Sequence, residues 1–125
     1  MIEWLLDTHA LLWVLAGDDE LPAWLIKTVE RDTARFGVSD ATMWEIAIKR
    51  STGRIDVPKD LPRTVSRVGF VTVGITTDHV WAVHDLPFHH RDPFDRLLIV
   101  QARHLGVPLV TADEAIAEYG VTTVW

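Results

Sequence analysis

Four carboxylates sit at positions in the chain where acids can do chemistry. Asp7 ends the apolar run IEWLL, and Glu45 falls early in the stretch SDATMWEIAIK. Asp95 closes the tetrapeptide DPFD, and Asp113 lies just beyond the apolar segment PLVT. Carboxylates brought together without partners repel one another and hold their protons more tightly. Such an oxygen-rich cluster suits Mg²⁺ or Mn²⁺, which keep several waters and take only a few carboxylates directly. A metal held this way stabilises charge on a phosphoryl oxygen and supplies an activated water. The reaction class is therefore metal-assisted phosphodiester hydrolysis. The chain has no cysteine, which excludes disulfides, thiolate metal sites and cysteine nucleophiles and suits a reducing compartment.

Each acid also has a purely structural use. Acids in a first helical turn complement the helix dipole, and this alone would account for Glu45 and Asp95. Asp113 can serve as an N-cap. Asp92 stands three residues before Asp95 and fits a cap with its partner in the first turn, so it is either that or a further metal ligand. Asp7 fits a structural use least, because a charge at the end of a buried apolar strand is costly without compensation. The argument for a site rests on all four meeting at one edge.

The elements that would bring them there alternate regularly. Strands are predicted at 2–6, 36–39, 70–75, 108–111 and 121–124 from short apolar or β-branched runs bounded by turn residues. Between them, helices are predicted with Thr8 as a cap and running through Leu15, from Leu21 to Ala34, and from Ser39 or Asp40 to just before Gly53. Others are predicted from Asp60 to Gly69, from Thr76 or Thr77 to His84, from Asp92-Pro93 to Gly106, and briefly after Asp113. Asp followed by Pro is a strong start signal, since proline is tolerated in the first turn. Strands alternating with helices imply an α/β fold, a three-layer α/β/α sandwich around a mainly parallel sheet of about five strands. In such sheets ligands gather beyond the carboxyl ends of the strands, where all four acids fall.

With 125 residues, 48% of them hydrophobic, one domain over residues 1–125 is expected, with enough apolar surface for a core. The first residues carry no basic region and no cleavage site, and no apolar run reaches the ~18 residues of a membrane span, so a soluble, cytoplasmic protein is expected. The net charge of −6 argues against a general nucleic-acid binder. Its distribution is uneven: residues 1–48 carry −6 and residues 68–125 carry −4, whereas residues 49–67 carry +4. That segment, with Lys49, Arg50, Arg54, Lys59, Arg63 and Arg67, fits either a local patch for a polyanion or a solvated face. Arg91 and Arg96 flank the acidic helix start and fit phosphate or carboxylate partners. His89 and His90 precede the same helix; they are read as loop residues bonded to backbone, with phosphate contact or proton donation as the alternative. Of the six tryptophans, Trp4, Trp13, Trp44 and Trp81 are expected in the core, and Trp24 at an interface.

The segments LLDTHALLW, SDATMWEIAIK, HHRDPFDRLLIVQA and PLVTADEAI together resemble the PIN-domain family, and specifically VapC-type toxin ribonucleases. The resemblance covers essentially the whole chain. It implies a PIN-like fold and a Mg²⁺- or Mn²⁺-dependent endoribonuclease whose catalytic and metal-binding acids are Asp7, Glu45, Asp95 and Asp113. Thr8 and Thr111 match small polar positions beside the first and fourth acids, where they would orient ligands or waters; with Arg91 and Arg96, Thr8 is also a candidate for substrate contact. The resemblance further implies an RNA substrate, a small VapB-type antitoxin that covers the active site, and a homodimer. Two other parallel-sheet classes fail on the residues: a phospho-receiver needs an Asp ending the third strand, where this chain has Val73-Gly74-Ile75, and a haloacid-dehalogenase-like phosphatase needs D-x-D where it has Asp7-Thr8-His9. A PIN-like interaction module without catalysis is the remaining alternative.

Overall fold

The computed structural model describes residues 1–125. Five short strands, β1 (Trp4–Leu6), β2 (Phe36–Ser39), β3 (Val71–Val73), β4 (Leu109–Val110) and β5 (Thr123–Val124), form one sheet in the order β3-β2-β1-β4-β5. Every pairing is parallel, so the sheet is all-parallel rather than mainly so. The helices are α1 (Thr8–Ala16), α2 (Ala23–Arg31), α3 (Asp40–Ser51), α4 (Leu61–Val68), α5 (Thr77–Ala82), α6 (Pro93–Leu105) and α7 (Glu114–Ala117). They cover both faces, giving the three-layer arrangement.

Period-two alternation divides the core. Leu5 and Leu109 point to one face, where they meet Leu98, Ile99 and Ala102 of α6 and Ile116 of α7. Leu6, Phe36, Val38 and Val110 belong to the other, packed with Leu11 of α1, Leu25 of α2 and Val65 of α4. Gly37 in β2 is buried where a Cβ would meet Ile2 Cδ1 at 2.9 Å and Val73 Cγ2 at 3.0 Å, so a larger residue there would have to push these side chains aside. No helix is long and apolar enough to cross a membrane.

Strand order fixes where a site can form. From β1 the chain moves outward through β2 and β3 on one side, then returns to lay β4 against the other side of β1. Connections therefore leave the carboxyl ends of β1 and β4 in opposite directions, opening the crevice typical of such switch points. Leu6 pairs with Val110, and the Asp7 N–H donates to the Val110 carbonyl at 3.1 Å, so Asp7 and Thr111 leave the sheet side by side.

Three expectations are corrected. Thr8 does not cap α1: Asp7 does, its carboxylate accepting the Ala10 N–H at 2.8 Å, with Thr8 as the first helical residue. The long helix expected from Leu21 to Ala34 stops at Arg31, where Asp32 turns extended and caps a 3₁₀ turn over Thr33–Arg35. Trp44 and Trp81 are not core residues but are 57% and 73% exposed: α3 turns Ala41, Thr42, Glu45 and Ile46 inward instead, and α5 buries none of its residues. Trp4 does pack inward, stacked on Phe36 at 5.1 Å, with Trp24 tilted against it at 5.9 Å.

Candidate functional site

Three of the acids in the crevice are placed by helix starts. Asp7, Asp92 and Asp113 are the N-caps of α1, α6 and α7, and each uses its Oδ1 for the purpose. Asp7 Oδ1 accepts from Ala10, Asp92 Oδ1 from Phe94 at 2.8 Å and Asp95 at 3.1 Å, and Asp113 Oδ1 from Ala115 at 2.9 Å. Capping and ligand binding are thus compatible in one residue, because each cap leaves Oδ2 facing away from the helix backbone. Asp95 lies in the first turn of α6, and Glu45 faces inward from the second turn of α3.

The acids share one electrostatic neighbourhood. Burial raises the proton affinity of Asp95 most, and the charges of Asp92, Glu45 and Asp7 raise it further while His90 opposes them; its pKa is pushed up to about 7. Burial also holds Asp7 above the usual carboxylate range, against hydrogen bonds from Thr111 and the Ala10 N–H and the charge of His9, with Asp113 adding to the rise. Asp7 and Glu45 are only 4% and 3% exposed. Glu45 has a side-chain partner on each oxygen: Thr8 Oγ1 donates to Oε1 at 2.6 Å, and Lys49 Nζ to Oε2 at 2.7 Å.

His90 enters the cluster from the loop before α6. Its Nε2 lies 3.2 Å from Asp95 Oδ2 and 3.0 Å from Asp113 Oδ2, and ligand-type atoms of the three residues all fall within 4.8 Å of one another. The loop that carries it is fixed from below. The His90 N–H donates to Tyr119 Oη at 2.7 Å, and Arg96 Nη1 donates to the same hydroxyl at 3.2 Å.

Arg96, expected as a candidate for substrate contact, lies inside the protein. It is 5% exposed, and its guanidinium donates to the carbonyls of Val83, Leu86, Pro87 and His90 while lying over the Phe88 ring. A planar donor fork inside a ring of carbonyls is a loop anchor. Thr8 is likewise 3% exposed, and its hydroxyl donates to Glu45 and so orients that acid. Arg91 is exposed beside the cluster. Thr111 is buried, and its Oγ1 accepts the Asp113 N–H at 3.0 Å, shaping the turn that aims Asp113.

Three residues of the site were missed or misread from sequence. Lys49 was grouped with the basic segment, although its i,i+4 spacing from Glu45 on one helix signals the pair. His90 was read as a loop residue bonded to backbone; its Nδ1 does accept the Asp92 N–H at 3.0 Å, but its other nitrogen faces two acids. Tyr119 carries no local signal, since its partners lie 29 and 23 residues away.

The donor set is oxygen-dominated, partly buried and partly open, which fits Mg²⁺ or Mn²⁺. Asp95 and Asp113, whose Oδ2 atoms lie within reach of one another beside His90, could hold such an ion, with Asp7 close by; both oxygens of Glu45 already have partners.

Comparison with known proteins agrees with this architecture. The family model described as "PIN domain" matches residues 4–121. A DNA-bound VapBC of Salmonella typhimurium superposes with a TM-score of 0.73 at 15% identity, covering 99% of this chain and 98% of that one. VapBC2 of Rickettsia felis, bound to a DNA fragment from its promoter, gives 0.70 at 15% identity over 100% and 99% of the two chains. PAE2754 of Pyrobaculum aerophilum gives 0.62 at 20% identity over 98% and 90%. At these identities the likeness is one of fold. No curated protein matches the chain.

Proposed function

The chain belongs to the PIN-domain family, whose model spans residues 4–121, and on that premise we propose that it is a metal-dependent endoribonuclease, the toxin of a VapBC-type toxin–antitoxin system. The observation that carries this reading is the meeting of Asp7, Asp95 and Asp113 at the carboxyl ends of β1 and β4, with Asp95 pushed up to about 7 by burial and its acidic neighbours. A purely structural set of helix caps has no need to crowd charges at a cost in stability. Neighbouring folds include toxin–antitoxin complexes from Salmonella typhimurium, Klebsiella pneumoniae and Rickettsia felis. These support a small VapB-type antitoxin as partner, and the family supports a homodimer.

Bound Mg²⁺ or Mn²⁺ would supply charge stabilisation at the scissile phosphate and a water of lowered pKa. The chain's own part is positional. Asp7, Asp95 and Asp113 would hold the ion, and Glu45, oriented by Thr8 and Lys49, would complete the acidic wall. Arg91, exposed at the mouth, would meet RNA phosphates. The test is cleavage of a panel of RNAs by purified protein with Mg²⁺, with Mn²⁺ and with chelator. Cleavage that stops on chelation supports the reading; cleavage that survives it would favour histidine acid–base chemistry and sink the metal centre.

A further inference from the structure

His90 is the residue whose hydrogen bonds fit neither a metal ligand nor a plain loop histidine. A histidine that ligates through Nε2 keeps its proton on Nδ1 and donates it to an acceptor, which fixes the ring for the metal. Here Nδ1 faces a donor, the Asp92 N–H at 3.0 Å. Nδ1 must therefore be the acceptor, and in the neutral ring the proton stands on Nε2. That nitrogen points between two Oδ2 atoms, 3.2 Å from Asp95 and 3.0 Å from Asp113. On Asp113 this is the oxygen that capping leaves, since its Oδ1 accepts the Ala115 N–H.

We infer that His90 is an internal stand-in for the cation: its Nε2–H occupies the seat between Asp95 and Asp113, and a divalent ion must displace the ring to take both carboxylates. The reading rests on the proposed metal centre. The backbone around His90 is anchored to Tyr119 Oη and to Arg96, so displacement is a side-chain rotation and not a loop opening. His90 is thus a positioning residue that keeps two acids aligned and sets the threshold of metal affinity.

The variants follow from the geometry. His90→Asn keeps an acceptor two residues before the Asp92 N–H, as Asn does in an Asx-turn, and removes only the distal donor. His90→Gln places an amide N–H near the position of Nε2 and serves as the rescue. Mn²⁺ affinity is read by electron paramagnetic resonance of the free ion, with melting temperature as a check on folding. His90→Asn is expected to bind Mn²⁺ about fivefold more tightly than the wild type, the scale of one hydrogen bond no longer competing, with His90→Gln returning toward the wild-type value. Weaker binding by His90→Asn would make His90 a ligand and overturn the inference, as would an unchanged affinity. Asp95→Asn separates this from the proposed function. If the wild type binds Mn²⁺ and Asp95→Asn does not, the metal centre stands whatever His90 does; if neither binds, the centre and the inference fall together.

Discussion

The two halves of the acidic crevice treat buried carboxylates in opposite ways. On the α3 side, Glu45 is 3% exposed and has a fixed partner for each oxygen, Thr8 on one and Lys49 on the other. On the α6 side, Asp95 and Asp113 share one histidine nitrogen, and no Lys or Arg forms an ion pair with either. The first half has its counter-charge built in, one helical turn away. The second half has no such counter-charge, and burial first, then the neighbouring acids, push the pKa of Asp95 up to about 7. If the proposed function holds, the carboxylates without a fixed counter-charge are the ones that would take a cation, which would put the chemistry on the α6 side and make Glu45 a fixed wall.

The largest effect expected from this contrast is on catalysis. Asp95→Asn should lower RNA cleavage at least about 100-fold, the upper scale for disturbing a metal's ligands. Mg²⁺ should stabilise the wild type by mass action and the variant much less, because ligand binding to the native state raises stability only where the ligand binds. Thermal melts with and without Mg²⁺, beside one cleavage assay, measure both. A variant that remains active would move the chemistry away from α6 and break the comparison.

Removing the built-in counter-charge should act on folding instead. Lys49→Met leaves Glu45 buried with one oxygen unpaired, a loss of about 1–3 kcal/mol given that the lysine is 34% exposed and the pair is partly screened. Replacing both residues by Met should recover much of that loss, since an apolar pair demands no compensation. Urea unfolding of the single and double variants decides. If Lys49→Met costs nothing, Glu45 has another partner and the two halves are alike.

The fold was largely readable from sequence, and the reasons for the gaps are physical. Strand β2 was predicted at its observed bounds because Arg35 and Asp40 frame it with polar residues. Strands β1, β3, β4 and β5 are shorter than predicted; their apolar or β-branched runs continue past the last ladder bond, so hydrophobicity does not show where pairing ends. Trp44 and Trp81 misled because tryptophan at a helical position indicates apolar surface without saying which way it faces. The acids were legible through their place at strand ends and helix starts. The commitments of Arg96 were not, for its acceptors are loop carbonyls of residues 83–90 that only the folded turn assembles.

Stability should also depend on pH with a sign set by the α6 half. From about pH 4 to 7 the folded chain keeps on Asp95 a proton that the unfolded chain releases near the ordinary value of 3.8. The native state then binds more protons, so stability is greatest at the acidic end of this window and declines as pH rises through it. Asp7, also raised, acts in the same direction. Asp95→Asn should flatten the decline and leave the variant more stable than the wild type above pH 7 by about 0.5–2 kcal/mol without metal. Chemical denaturation across pH 4 to 8 in chelator measures it. A decline of unchanged slope in the variant would show that Asp95 is solvated and that its crowding has no energetic weight.

The smallest effect concerns the basic segment, where the same contrast between committed and free charge recurs. Lys49 is turned toward Glu45, and Arg50 Nε donates to the Val57 carbonyl at 3.1 Å, whereas Arg54 and Arg63 are exposed. If exposed cations of this segment follow an RNA backbone, each phosphate contact releases counterions and adds about 0.7 to the slope of log affinity against log salt for a single strand. Charge reversal at Arg50, Arg54 and Arg63 together should therefore weaken binding of a noncleavable RNA and lower that slope by about 1 to 2, the lower figure if Arg50 remains bound to its carbonyl. Fluorescence anisotropy over a salt series reads it directly. Lys49→Met, by contrast, should leave the slope untouched, because its charge already belongs to Glu45. Equal slopes for the wild type and the triple variant would assign residues 49–67 to solvated surface and leave the acidic crevice to bind RNA through its metal and Arg91 alone.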